Sequence, residues 1–399
     1  MQLYDTAARA VRPFQPAGDT VSLYVCGITP YDAAHLGHAF TYHVFDIVTR
    51  RLRAAGSKVR SVRNVTDVDD DIFRVARERG VSAAELTAEQ VARFDREMAA
   101  IDILPVDAAP LASRDVPHMV DWIGRLERAG AAYANQGWVY FDVPRFERYG
   151  LLSRLTREQM IALSRERGAD PDDPRKHDPL DFVLWQPSLD DESSWESPWG
   201  AGRPGWHIEC SVLATDLLGD TVDLHGGGDD LIYPHHESEI AQVEAVSNHP
   251  FVRHWTHVAM VQLDGVKMSK SLGNLVFVGD CLQRVAPGAV RLALAEHHYR
   301  TAWSFDPAEL DAAEARRLRY REAMAAATLL DPDDAAQAER DFFARLDDDL
   351  DTPGALRVLD GLAERIRNST AHQGIDAEPL LRRLLGVLGC DVSAVAVAR

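Results

Sequence analysis

Cys26 stands nine residues ahead of the tetrad His35-Leu36-Gly37-His38, in the run Tyr24-Val25-Cys26-Gly27-Ile28-Thr29-Pro30-Tyr31-Asp32. A thiolate can hold a soft metal ion. The alternation Val21, Leu23, Val25 reads as a short strand ending at Cys26, and a helical pattern resumes at Phe40, Val44, Phe45 and Val48. The two histidines therefore fall at a strand-to-helix junction, where backbone N–H groups and the helix dipole favour a phosphate. Far along the chain, Lys267-Met268-Ser269-Lys270-Ser271, followed by Leu272-Gly273-Asn274, offers two ammonium groups on a short loop. Such cations suit a triphosphate losing pyrophosphate, because they neutralise charge that builds in the transition state. Each run also has a plain reading, the tetrad as a structural turn and the lysines as a solvated loop.

More potential metal ligands lie in Gly202-Arg203-Pro204-Gly205-Trp206-His207-Ile208-Glu209-Cys210 and Tyr233-Pro234-His235-His236-Glu237-Ser238-Glu239. His235 and Glu239 are four residues apart and share a helix face if Pro234 opens the helix. With Cys26 and Cys210 they would make two thiolates, one imidazole and one carboxylate, a set suited to Zn2+. The spacing is not that of a compact zinc finger, so alternatives stay open: His236 in place of His235, or Glu239 as a salt-bridged surface residue. Asp67, Asp69, Asp70 and Asp71 lack the glycine and terminal glutamate of an EF-hand loop and read as loop and helix-start charge. Cys281 and Cys390 sit in apolar helical contexts and read as core.

The elements that must position these groups are those of a parallel α/β sheet. Strand-like runs at Val21 to Cys26, Val59 to Asn64, Thr221 to His225 and His257 to Val261 alternate with helical periodicity. Ligands in such folds bind beyond the carboxyl ends of the strands, which is where this reading puts Cys26, Asn64, His225 and Val261. A helix is expected over Val81 to Ile103, opened by the capping box Ser82-x-x-Glu85. From about Leu104 to Arg203 the pattern turns mixed and proline-rich, with a second capping box at Thr156-x-x-Gln159. That stretch reads as an insertion dividing the α/β domain into 1–103 and 204–275, with 276–399 forming a helical stem and bundle. Breaks near Asp331-Pro332, Thr352-Pro353-Gly354 and Gly374 suggest three to five helices there.

A length of 399 residues implies two or three domains, and 46% hydrophobic with 26% charged residues is ordinary for a soluble protein. The 62 acidic against 43 basic side chains, a net charge of −19, disfavour a broad nucleic-acid surface. No secretory, membrane-spanning or lipidation signal is evident, so a cytoplasmic location is expected. Four scattered cysteines fit buried thiols or metal ligands better than disulfides there.

The two runs HLGH and KMSKS resemble the paired signatures of class I aminoacyl-tRNA synthetases. With YVCGITPYD, RNVTDVDD, GRPGWHIEC and HGGGDDLIYPHHE in order from about residue 1 to 390, the chain closely resembles the family of cysteinyl-tRNA synthetase and the shorter mycothiol cysteine ligase. The resemblance implies a Rossmann-type catalytic domain that activates L-cysteine with ATP and Mg2+. It implies one Zn2+ held by Cys26, Cys210, His235 and Glu239, acting as a specificity device that prefers a substrate thiolate to a serine hydroxyl. Thr29 and Trp206 would line the cysteine pocket; Thr41, Asn64, Val65, Thr66, Gly228, Asp229, Asp230 and Val261 would meet the adenylate; Gly27 and Ile28, beside Cys26, would also belong to the binding site. His35, His38, Lys267 and Lys270 would hold the triphosphate and stabilise departing pyrophosphate.

The acceptor divides the two relatives: a tRNA ribose hydroxyl, or the amine of glucosaminyl-inositol. Three features favour the amine. The sequence stops shortly after Leu384 to Cys390, where the synthetase would continue; residues 331–399 carry 14 acidic and 8 basic side chains; and Glu166-Arg167-Gly168-Ala169-Asp170-Pro171 resembles the ligase's ERGGDP. Against them, the ligase typically has no carboxylate at the position of Glu239, and HHESEIAQ looks more like the synthetase. A non-catalytic cysteine- or zinc-binding relative is a third reading, opposed by the intact HLGH and KMSKS runs. For the transfer step Asp230 or a histidine could accept the proton, and a monomer is expected.

Overall fold

The computed structural model describes residues 1–268, 273–326, 328–370 and 373–393. A hairpin of β1 (Gln2–Asp5) and β2 (Ala10–Pro13) leads into β3 (Thr20–Val25), α1 (Leu36–Ala54) and β4 (Lys58–Val62), then α2 (Asp70–Arg79) and α3 (Ala83–Ala100). Ser82 and Glu85 form the reciprocal capping box that starts α3. The inserted region carries α4 (Val116–Arg128), β5 (Ala132–Asn135), β6 (Trp138–Phe141), α5 (Arg157–Glu166), β7 (Phe182–Gln186) and β8 (Arg203–Pro204). Its strands make an antiparallel sheet in sequence order, and Thr156 with Gln159 caps α5.

The chain then returns to the first sheet through α6 (Trp206–Leu218), β9 (Leu224–Gly228), α7 (Glu237–Ser247) and β10 (Trp255–Val258). The central sheet has the order β10, β9, β3, β4, and all three pairings are parallel. Beyond it come β11 (Val261–Leu263), β12 (Val266–Lys267), α8 (Val278–Arg284), α9 (Pro287–Ala295) and β13 (Trp303–Phe305), and β13 pairs parallel with β11. The C-terminal part holds α10 (Pro307–Ala325), β14 (Leu329–Leu330), α11 (Pro332–Asp347), α12 (Thr352–Asn368), β15 (Ile375–Asp376) and α13 (Ala377–Val387). Asp306, Asp331, Asp351 and Asp376 cap its four helices, each accepting a first-turn N–H.

Two strand expectations are corrected. The strand expected at Thr221 to His225 runs instead from Leu224 through the glycines to Gly228, so His225 lies inside it. A Cβ on Gly226 would sit 1.9 Å from the Thr256 carbonyl oxygen and 2.5 Å from the Phe45 ring, so only glycine lets the neighbouring strand and α1 approach. The strand expected to end at Val261 stops at Val258, and Val261 begins β11. The helix expected over Val81 to Ile103 spans Ala83–Ala100, its ends trimmed by the cap and by the turn at Ile101.

Strand periodicity decides which way Cys26 points. Val21, Leu23 and Val25 join the apolar cluster shared with α1 and the C-terminal helices, whereas Tyr24 and Cys26 join the other, with Ile208, Val212 and Trp255. Cys26 therefore faces the side of the sheet covered by α6 and α7.

Candidate functional site

At the carboxyl ends of β3, β9 and β10 opens a cleft of about 870 Å³. Cys26, Gly27, Ile28, Thr29, His35, His38, Thr41, Trp206, Gly228, Asp230, Val261 and Lys267 all line it. Asn64, Val65 and Thr66 stand behind its wall. Asn64 is buried and accepts a hydrogen bond from the Gly27 N–H at 2.7 Å, while its amide donates to Thr66 at 2.8 Å. Asp229 precedes the lining Asp230, and burial together with the Asp230 charge raises its carboxyl to about 6. Lys270 lies outside the described residues.

His35 is the N-cap of α1 and takes two of its first-turn donors. Its Nδ1 accepts from the N–H of Gly37 at 3.1 Å and of His38 at 3.4 Å. This refines the expectation of backbone N–H groups left for a phosphate. An accepting Nδ1 carries no proton, so the neutral ring bears its hydrogen on Nε2, a side-chain donor for an anion. The His38 ring stacks on it at 3.8 Å. Across the cleft the Lys267 ammonium lies 3.3 Å from Asp230 Oδ2, and the Arg167 guanidinium approaches the same oxygen at 3.8 Å. Arg167 follows α5 of the inserted region and lines the cleft, a placement the sequence reading did not assign. Its signal was the ERGADP run, quoted only for resemblance.

Beneath the cleft floor the four residues Cys26, Cys210, His235 and Glu239 bring one ligand atom each into a common neighbourhood. Cys26 follows the end of β3, Cys210 comes from α6, His235 from a wide turn, Ile232–His236, and Glu239 from the first turn of α7 that this turn feeds. All four are buried. The sulfurs are 3.9 Å apart, Cys26 Sγ is 3.6 Å from Glu239 Oε1, and His235 Nε2 is 2.9 Å from the same oxygen. Around a tetrahedral Zn2+ with bonds near 2.3 Å to sulfur and near 2.0 Å to nitrogen or oxygen, neighbouring sulfurs would be about 3.8 Å apart and sulfur and oxygen about 3.5 Å. Those two separations fit; the histidine–carboxylate pair is closer, at hydrogen-bond length.

The electrostatics fit a cation as well. Burial pushes the Cys210 thiol up, but the hydrogen bond from Cys26 and the His235 charge outweigh it and bring it to about 6. Cys26, buried and donating to Cys210, is pushed well above the usual thiol range. Burial opposes protonation of His235, yet the Glu239 carboxylate and Cys210 raise it to about 10. Glu239 is held well below the usual carboxylate range despite its burial, by His225 and His235. A thiolate and a carboxylate thus share protons in a dry pocket, and a dication could replace those protons.

A second donor set, Cys26, His225, His236 and Glu239, overlaps the first. His225 Nε2 bonds Glu239 Oε2 at 2.8 Å, and His236 Nε2 lies 3.2 Å from Cys26 Sγ. His207 Nδ1 meets His235 Nδ1 at 2.9 Å, and the Trp206 ring stacks on His235 at 4.3 Å. His225 was expected only as a strand end and His207 was not singled out, because their contacts here join elements far apart in sequence.

Residues 13–315 match the family model described as tRNA synthetases class I (C) catalytic domain. Among curated relatives, the L-cysteine:1D-myo-inositol 2-amino-2-deoxy-alpha-D-glucopyranoside ligase of Gordonia bronchialis is 47% identical over 98% of this chain and 96% of its own length. The same-named enzyme of Thermomonospora curvata is 46% identical over 97% of this chain and 93% of its own. Among solved structures, Mycobacterium tuberculosis methionyl-tRNA synthetase in complex with methionyl-adenylate superposes with a TM-score of 0.67 at 15% identity, covering 92% of this chain and 88% of that one. LeuRS of Agrobacterium radiobacter K84, in a ternary complex with tRNA and LeuAMS, gives 0.66 at 11% identity, over 94% and 83% of the two chains. At such identities the likeness is one of fold, that of class I synthetases.

Proposed function

The chain belongs to the class I (C) tRNA synthetase catalytic-domain family, and from that premise we propose that it is an ATP-dependent ligase joining L-cysteine to the amine of glucosaminyl-inositol. The reaction has two halves. The cysteine carboxylate attacks the α-phosphorus of ATP, giving cysteinyl-adenylate and pyrophosphate; the acceptor amine then attacks the activated carbonyl, giving an amide and AMP. The names shared by relatives that match nearly the whole chain support the acceptor. The observation that carries the cysteine half is the buried Cys26, Cys210, His235 and Glu239 set under a cleft that also holds HLGH and Lys267.

In the first half-reaction, His35 Nε2–H, His38 and Lys267 meet the triphosphate, with Lys270 as the second cation of its loop. Mg2+ accompanies the nucleotide. Lys267 must leave Asp230 to do so, which frees that carboxylate for the adenylate ribose side while Arg167 stays close enough to balance its charge. Asn64 orients the Gly27 amide, and Thr29 and Trp206 frame the amino acid. Zn2+ would be held by the four buried ligands and would supply a soft Lewis acid that prefers sulfur to a hydroxyl oxygen. Among the described residues no helix is long and apolar enough to cross a membrane, and we place the enzyme in the cytoplasm, where ATP and cysteine are at hand.

Cysteine-dependent ATP–pyrophosphate exchange by the zinc-replete protein tests the first half; no exchange would reject the ligase. Offering ATP and cysteine with glucosaminyl-inositol or with cysteine tRNA tests the second, and amide product with the amino-sugar is expected. Cysteinylated tRNA without amide would favour cysteine–tRNA ligase instead. The carboxylate of Glu239 within the donor set is the observation behind that second reading.

A further inference from the structure

Two overlapping donor sets cannot both hold one ion, and the groups behind Cys26 distinguish them. His236 Nε2 lies 3.2 Å from Cys26 Sγ, His236 Nδ1 is 2.7 Å from His257 Nε2, and His257 Nδ1 is 2.7 Å from the Thr6 hydroxyl. His236 and His257 are buried, and the Trp255 ring lies against both at 5.0 and 6.1 Å. Thr6 is itself fixed by its N–H, which donates to the Trp255 carbonyl at 2.8 Å.

We propose that Thr6, His257 and His236 form a one-way hydrogen-bond chain ending as an N–H donated to the Cys26 thiolate, so that all three are positioning residues of the metal centre and His236 is not a ligand. The proposal rests on the reading of Cys26, Cys210, His235 and Glu239 as the ion's ligands. A thiolate that holds a cation only accepts hydrogen bonds, so His236 Nε2 must carry the hydrogen. In the neutral ring Nδ1 then accepts, His257 Nε2 must donate, His257 Nδ1 accepts in turn, and the Thr6 hydroxyl must donate. Each link is settled by the one before it. Were His236 a ligand, its Nε2 lone pair would lie on the ion and every bond in the chain would reverse.

Two observations choose between these directions. The set containing His236 leaves out Cys210, stranding a buried thiol 3.9 Å from Cys26, where a soft ion takes it. His236 Nε2 is also 3.9 Å from Glu239 Oε1, whereas His235 Nε2 is 2.9 Å from that oxygen. An N–H bond to a ligating sulfur withdraws charge from it and fixes its lone pairs, which tunes the ion's preference for a second, substrate sulfur. Thr6 and His257 thereby become specificity determinants that do not touch the amino acid.

Cobalt(II) in place of zinc makes the centre visible. The d–d bands report coordination, and the sulfur-to-cobalt charge-transfer band reports charge on the thiolates. In Thr6→Val and His236→Gln the tetrahedral d–d intensity should persist while the charge-transfer band moves to longer wavelength. Metal affinity, measured by chelator competition, should fall about 10-fold for His236→Gln. Thr6→Ser, which keeps the hydroxyl, should restore the parent spectrum. Loss of the tetrahedral d–d bands in His236→Gln, an unchanged charge-transfer band in Thr6→Val, or failure of the parent protein to bind cobalt would each overturn the chain. The expected spectra in a protein without cysteine-dependent exchange would uphold the chain and reject the ligase.

Discussion

Single atoms decide the chemistry at Cys210 and Asp69. Cys210→Ala removes one of two sulfurs from the donor set, so bound zinc, measured on purified protein, should drop well below about one equivalent. Discrimination of cysteine from serine in pyrophosphate exchange should weaken with it; unchanged zinc content would refute the assignment. Asp69 lines the cleft and caps α2 by accepting the Asp71 N–H. Burial raises its carboxyl to about 6, against the opposing pull of that hydrogen bond. The folded protein thus keeps this proton to higher pH than the unfolded chain. The resulting stability is present below the unfolded value near 4 and is lost as pH rises through about 6. Asn caps equally well and does not ionise. Asp69→Asn should therefore gain in melting temperature over the parent between pH 4 and pH 7, and a pH-independent difference would contradict this account. The residues that gather at the cleft stood out in the sequence as candidates because thiols, imidazoles and lysines occur there in short, distinctive runs. Arg167 was not, since one arginine among 43 basic residues gains meaning only from the carboxylate it faces.

Elements place these atoms through close backbone contacts. A Cβ on Gly27 would fall 1.6 Å from the Asn64 carbonyl oxygen, so the segment after β3 can lie against the segment after β4 only as glycine. Gly27→Ala should cost on the order of 3 kcal/mol in urea unfolding and raise the KM for cysteine. A fully active, equally stable variant would mean that the strand ends can separate without consequence. Gly205 is similar: it is the N-cap of α6, and a Cβ there would meet the Val183 carbonyl oxygen at 2.1 Å, so it lets the inserted sheet press against the helix that carries Cys210. Capping boxes and aspartate caps were readable from sequence because they are local. The extent of β9 was not: its glycines have low strand propensity, and their place in the sheet is dictated by Thr256 and Phe45, far along the chain.

At the scale of the whole molecule, Asp46 and Arg291 form a buried ion pair at 2.5 Å between α1 and α9. Arg291 also donates to the Leu388 carbonyl at 3.0 Å, and Asp46 accepts the Leu104 N–H at 3.0 Å in the segment that follows α3. Removing one partner strands the other charge in an apolar setting, although Arg50 still reaches Asp46 at 2.9 Å. Arg291→Met should lower unfolding free energy by about 3 kcal/mol, the low end of the range for breaking such a pair. No loss would show that Arg50 suffices. The alternation of strands and helices that builds the parallel sheet was legible from periodicity; the docking of the helices was not, because it depends on pairs such as this one, 245 residues apart.

The pairing of β3 with β9 sets a timetable for biosynthesis. Leu23 pairs with Leu224, and Cys26 meets Cys210 across 184 residues of chain. At bacterial and eukaryotic translation rates of about 5–20 residues per second, Cys26 waits roughly 10–40 s on the ribosome before its partner sulfur is made. An ion that needed both sulfurs could be captured only after the segment between them had been made, so the order of synthesis makes Cys26 wait for Cys210.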